Sequence, residues 1–284
     1  MKYIYLFLIL ISLELFSQNS EPINFDGLVD IEEWNSFPSY DISYEIEPGN
    51  NITPPYKTKA YVTYSKTHMY VGFNAEVPKD QLRSAIRNRD QVFQDDRVAM
   101  CIDTFGDGRY MICLGSNANN IQFDLKFATD DIDTSYDVNF ENKSQLTEKG
   151  YDVELKIPFS AYQFKNNPEL NWKISFFRTS FANGKESLSQ NYPIDRNNPC
   201  FACQVTSEVV FKNIKPELRF NVIPYIYSGV QGLKNGNSIL YGKPEFNIGV
   251  SGRLDLSSQT SLEYTINPDF SQVEADVTKI DINS

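Results

Sequence analysis

Apolar and polar positions along the chain alternate with a period of two, in short runs broken by Gly, Pro, Asn and Asp, and this pattern predicts strands. Val98 to Asp103 and Tyr110 to Leu114 are apolar on both faces, as expected of strands in the middle of a packed sandwich. Gly106-Asp107-Gly108 between them supplies a residue with positive φ, so the two runs form a hairpin. With a three-residue loop and Gly108 in the left-handed region, Phe105 faces Arg109 and Cys101 faces Cys113. Lys59 to Tyr64 and His68 to Asn74 form a second hairpin around Ser65-Lys66-Thr67. Ile121 to Phe127, Gly150 to Ile157 and Asn171 to Arg178 are further strands, and Ser160 to Gln163 is a short helical stretch. Ile23 to Gly27 reads as a strand with an Asp-Gly turn, followed by a helical turn at Asp30 to Trp34 that plants Trp34 in one end of a core. Strands at this spacing describe an all-β sandwich.

The alternation becomes stricter from Glu217 onward. Leu218 to Tyr227, Phe246 to Leu256 and Thr260 to Ile266 carry apolar residues on one face and polar or small ones, such as Gly249 and Ser251, on the other. That is the signature of transmembrane β-barrel strands, and it also fits soluble ones. Three such strands fall short of the minimum of about eight, so the barrel is incomplete and the chain is expected to be a fragment of a longer product. At the other end, Lys2 precedes an apolar run from Tyr3 to Phe16 and a cleavage point near Ser17-Gln18. This run is too short for a spanning helix and reads as a secretory signal peptide.

A net charge of -11 with 41% hydrophobic side chains marks a folded chain with no attraction for nucleic acid. His68 is the only histidine, which removes multi-histidine zinc sites and leaves histidine-dependent nucleophilic catalysis without a partner signature. Export permits disulfides. Cys200 and Cys203 read as a small loop-closing bridge, while Cys101 and Cys113 form a cross-strand bridge or remain buried thiols. Glu186 can pair with Arg178. The acids Asp130, Asp131, Asp133 and Asp137 are dense enough to bind Ca²⁺ but lack an Asp-x-Asp-x-Asp-Gly loop, and a solvated acidic loop is the favoured reading. Asp103 and Asp107 order the glycine turn, with a calcium ion as the alternative use of the pair and no other cofactor implied.

Ile23 to Trp34, Asp95 to Asp107, Tyr151 to Phe159 and Trp172 to Arg178 together resemble the family 9 carbohydrate-binding-module-like domain. Asn267-Pro268-Asp269-Phe270-Ser271-Gln272-Val273-Glu274-Ala275-Asp276-Val277 resembles the hallmark of a Bacteroidetes-type group in which this domain precedes an uncharacterised outer-membrane barrel-like region. The resemblance implies a jelly-roll-like β-sandwich at 18–212, behind a signal peptide at 1–17 and ahead of the first strands of an incomplete barrel at 213–284. It further implies an exported, outer-membrane-associated protein that binds a poly- or oligosaccharide and is linked to carbohydrate catabolism. The two tryptophans fall on framework positions, so the candidate sugar contacts are Tyr56, Arg87, Arg89, Tyr136 and Tyr192. A hydrolase of O-glycosyl bonds is the alternative and needs two carboxylates about 5–9 Å apart, for which Asp95 and Asp96 are the candidates. A structural plug or gate for the barrel, with no sugar ligand, is the third reading.

Overall fold

The computed structural model describes residues 21–128, 131–215, 220–230, 232–235, 238–255 and 260–267. Contacts divide the chain into two compact units after Lys215. The first unit is a β-sandwich. One sheet takes β1 (Ser39–Asp41), β3 (Thr58–Tyr64), β4 (His68–Glu76), β10 (Gly150–Pro158) and β9 (Glu141–Leu146), in that order. The facing sheet runs β2 (Tyr44–Glu47), β12 (Lys185–Gln190), β11 (Glu169–Ala182), β5 (Arg97–Asp103), β6 (Tyr110–Asn117), β7 (Gln122–Ala128) and β8 (Ile132–Asp133), with β13 (Glu208–Lys212) also on β11. All of these pairings are antiparallel.

Period two sorts each strand into a face toward the other sheet and a face away from it. Val71, Phe73, Val153 and Leu155 from the first sheet meet Met100, Ile102, Leu114, Ile174 and Phe176 from the second in one buried core. Each such side chain contributes about 1.5–3 kcal/mol when fully buried. Trp172 closes one region of this core against Phe159, Tyr162, Phe164 and Phe211, with ring centroids 4.9–5.9 Å apart. β5 and β6 are central strands, and their register pairs Cys101 with Cys113, which a disulfide joins. The glycine turn occupies 104–109, outside the ladder, so Phe105 and Arg109 are not a strand pair. Gly106 and Gly108 both have positive φ there. The cause is Asp103, whose carboxylate accepts the N–H groups of Phe105, Gly106 and Gly108 at 2.8–3.0 Å and curls the backbone around itself.

Two further expectations are corrected. Ile23 to Gly27 is not a strand, because side chains rather than a neighbouring ladder take its backbone groups. Glu154 accepts from Asp26 N at 2.8 Å and Gly27 N at 2.7 Å, and Asp152 accepts from Val29 N at 3.0 Å. The segment therefore lies on the outer face of the first sheet and leads into α1 (Ile31–Trp34). Trp34 is fully buried there, with Ile23, Val29, Tyr61 and Tyr70, and does not enter the sandwich core. Its indole lies over Gly72, where a Cβ would come within 3.0 Å of the ring, and its Nε1 donates to Glu154 Oε1 at 3.2 Å. The second correction concerns Arg178, which pairs with Asp96 at 3.2 Å and not with Glu186. Arg178 shares the inner face with Val98, whereas Glu186 projects from the outer face and pairs with Arg97 at 3.8 Å.

The second unit contains a sheet of β14 (Phe220–Gly229), β17 (Glu245–Asp255) and β18 (Ser261–Ile266), and a hairpin of β15 (Gly232–Asn235) and β16 (Ser238–Tyr241). One face of the sheet aligns Ile226 with Ile248, Val222 with Gly252, and Val250 with Ile266. The other aligns Asn221 with Arg253, and Ser251 with Thr265. Ile226, Phe246 and Ile248 are each at least 70% exposed. Among the described residues no helix is long and apolar enough to cross a membrane. The signal-peptide residues lie outside the described residues, as does the hallmark motif beyond Asn267.

Candidate functional site

The outer face of the second sheet carries Arg97, Ala99 and Cys101 from β5, Met111 and Cys113 from β6, Phe123, Leu125 and Phe127 from β7, and Phe177 and Thr179 from β11. These residues alternate with core residues, so each strand supplies both the packing and the site. The chain after β12 then folds back over this face. Tyr192, Ala202 and Val205 root the returning loop against Cys101, Met111 and Cys113. Asn51 brackets Ile194 through both backbone groups at 2.7–2.8 Å, Arg196 bonds the carbonyls of Ile46 and Gly49, and Gln204 Oε1 accepts from Asp195 N at 2.7 Å. The Cys200–Cys203 disulfide closes the tip of the loop. Gly108 allows that tip to seat, since a Cβ there would stand 2.8 Å from Cys203 Sγ.

This loop holds Phe201 over the sheet. Its ring stacks on Phe177 at 6.2 Å and meets Phe127 edge-on at 5.5 Å. Phe201 borders two compartments. The larger, about 880 Å³, is lined by Glu47, Arg97, Glu186, Asp195, Asn198 and Gln204, with Phe201, Pro199 and Leu188. The smaller, about 510 Å³, is lined by Phe93, Phe123, Leu125, Phe127, Phe177 and Phe201 over the Cys101–Cys113 bridge. Glu47, Arg97, Thr179, Leu188 and Phe201 line both, so the compartments form one cleft. Arg97 sits at the junction, with its guanidinium over the Phe93 ring at 5.3 Å and beside Glu186. Burial lowers its pKa from the usual guanidinium value, and Glu186 opposes that shift. A cleft with fixed polar groups on one side and aromatic faces on the other can hold a ligand by hydrogen bonds and ring contacts together.

None of the residues anticipated as sugar contacts lines this cleft. Tyr192 is only 2% exposed beneath the loop and presents no face to a ligand. Arg87 forms a two-bond pair with Asp95, at 3.0 and 3.1 Å. Arg89 bonds Asp124 at 2.8 Å and the Val138 carbonyl at 2.7 Å. Tyr136 packs on the margin of the main core. Tyr56 lines a separate hollow of about 620 Å³ beside the first sheet, near Lys59 and Tyr61. Burial raises its pKa, and Arg178 lies 5.7 Å from its ring.

The carboxylate candidates are also engaged. Asp95 is 1% exposed and accepts from Arg87 and from Asn117 Nδ2 at 3.0 Å. Asp96 is fully buried against Arg178 and Arg83 N, and burial raises its pKa. Two carboxylates enclosed in this way cannot flank a glycosidic bond. Asp103 spends its oxygens on the turn, and Asp107 accepts from Arg109 N at 3.1 Å. Among the described residues, the carboxylates close enough together to hold a cation are Asp90, Asp124 and Asp137, and neither Asp103 nor Asp107 belongs to that group. Arg89 already ion-pairs with all three.

Sequence reasoning missed Phe93, Arg97, Phe177 and Phe201. A phenylalanine in a strand reads as core, and only the enclosure of Phe201 between two cysteines marks it as a loop residue set in place.

The family described as "Carbohydrate family 9 binding domain-like" matches residues 25–192. No curated protein matches the chain. Among solved structures, a family 9 carbohydrate-binding module from Caldicellulosiruptor kristjanssonii in complex with cellotriose is 19% identical, covers 69% of this chain and 91% of its own, and superposes with a TM-score of 0.48. The same organism's module with glucose gives 18% identity, 69% and 93% coverage, and a TM-score of 0.47. A protein from Bacteroides uniformis, provisionally described as carbohydrate-binding, gives 12%, 64% and 88%, and 0.48. With more than half of its length matched, this chain belongs to the carbohydrate family 9 binding domain-like family.

Proposed function

We propose that the sandwich binds a poly- or oligosaccharide in the cleft on its second sheet. The observation that carries this reading is the larger compartment, which Glu47, Glu186, Arg97, Asp195 and Asn198 line together with Phe201. A sugar needs an apolar face for its C–H surface and fixed partners for its hydroxyls, and these residues supply both. Family membership supports the same ligand class. Titration of the chain with glucose and cellotriose, and against an array of plant and algal glycans, tests it. Binding that is lost in Phe201→Ala and weakened in Glu47→Gln is the expected result, and silence across every glycan would refute it.

We also propose that the protein is exported and that β14, β17 and β18 belong to an outer-membrane barrel, with the sandwich serving glycan capture for carbohydrate catabolism. The support is the two-faced sheet, apolar through Ile226, Ile248 and Ile266 and polar through Asn221, Ser251 and Thr265. Lysines at the neighbouring positions Ile226 and Ile248 would each cost about 2–4 kcal/mol at a bilayer midplane. Flotation of the chain with lipid vesicles that is abolished in Ile226→Lys/Ile248→Lys is expected, and flotation unchanged by those lysines would contradict lipid contact at this face.

A further inference from the structure

The smaller compartment is poorly suited to a bare sugar. The polar side chains that line it, Glu47, Arg97 and Thr179, all stand at the end it shares with the larger compartment. Beyond them its described lining is aromatic and aliphatic side chains, the Met111 thioether and the Cys101–Cys113 bridge. A pyranose pushed into this space would bury hydroxyls without partners, each at the cost of its lost hydration.

An aromatic ring meets no such penalty. Phe93 and Phe123 stand edge to face at 5.8 Å, and Phe127 and Phe201 do the same at 5.5 Å, so the walls already show the geometry in which rings attract. A further ring inserted among them gains from each favourable ring pair as well as from the area it buries. Because Phe201 and Arg97 border both compartments, one molecule can span them, with hydroxyls on the polar side and an aromatic group on the other.

We propose that the ligand of this cleft is an aryl-substituted glycan, a saccharide carrying an aromatic group by glycosidic or ester linkage, whose ring occupies the phenylalanine compartment. This rests on the sugar reading of the larger compartment and adds the substituent to it.

Calorimetric titration of the whole chain with methyl, hexyl and phenyl β-D-glucopyranoside, and with phenol alone, tests the inference. The phenyl glucoside should bind at least about tenfold more tightly than the methyl glucoside, a gain of about 1.4 kcal/mol. Phe127→Ala, which empties one wall of the compartment, should remove that gain. Ile132→Asn, at an exposed position on the rim, should reduce the gain without disturbing the fold. Methyl and phenyl glucosides of equal affinity, a gain that survives both substitutions, or hexyl glucoside binding as tightly as phenyl would each overturn the proposal while leaving the sugar reading intact. Phenol binding as tightly as phenyl glucoside, with methyl glucoside silent, would overturn the sugar reading and the inference with it.

Discussion

The two outer faces of the sandwich begin from the same alternation and end in opposite states. On the first sheet the outward residues Tyr61, Tyr70, Asp152 and Glu154 are covered by the protein's own 21–34 segment, with Trp34 seated over Gly72. On the second sheet the outward residues are mostly phenylalanines and aliphatics, and the returning loop covers only part of them. The difference lies in the buried carboxylates. Asp152 and Glu154 give an irregular segment backbone acceptors to bind, so it can lie down without a ladder. The second sheet offers no such acceptors across its aromatic floor, and that stretch stays uncovered. Outward-facing apolar residues therefore mark a candidate binding face only when no other part of the chain is built to cover them.

The largest test of this contrast is Trp34→Ala. Emptying the notch over Gly72 should cost about 3–5 kcal/mol in urea unfolding while the remaining folded protein binds its ligand normally. A small loss of stability would mean that the covering segment is loosely held and that the two faces are not different in kind.

Glu154 gives the next effect. Burial pushes its carboxyl up to about 7, against the pull of the Gly27, Asp26 and Trp34 donors. The folded protein therefore holds a proton that the unfolded chain releases between pH 4.5 and about 7. This contribution to stability is full below that window and is lost as pH rises through it. Asp124, pushed up to about 6 by burial, acts in the same direction. Unfolding midpoints across this range should fall with rising pH, and Glu154→Gln should flatten the slope. A slope of the opposite sign in the wild type and unchanged in the variant would count against the assignment.

On the open face, Phe201→Ala should reverse the pattern, lowering ligand affinity by about tenfold or more while stability drops by about 1 kcal/mol. The smallest effect belongs to Tyr56→Ala, in the separate hollow beside the first sheet, which should leave affinity within about twofold.

Much of the sandwich was legible because period two and a glycine turn fix register together. Pairing Cys101 with Cys113 required only the parity of two strands and the position of Gly108. The covering segment was not legible, because its backbone bonds go to carboxylates more than a hundred residues away, and no local pattern encodes that. The site was hidden for a related reason. Alternation shows that Phe177 and Phe123 share a face, but not that this face opens outward. Asp95 and Asp96 looked available as a pair, yet their partners Arg87, Asn117 and Arg178 come from three different parts of the fold. Phe201, between Cys200 and Cys203, is neither a tyrosine nor a tryptophan, the residue types that a sugar platform leads one to expect.

Calorimetric titration of cellotriose into the wild type, Phe201→Ala and Tyr56→Ala decides which sheet carries the sugar. Binding to the wild type should survive in Tyr56→Ala and be lost in Phe201→Ala. Loss in Tyr56→Ala with full affinity in Phe201→Ala would move the site to the first sheet and contradict its place on the second.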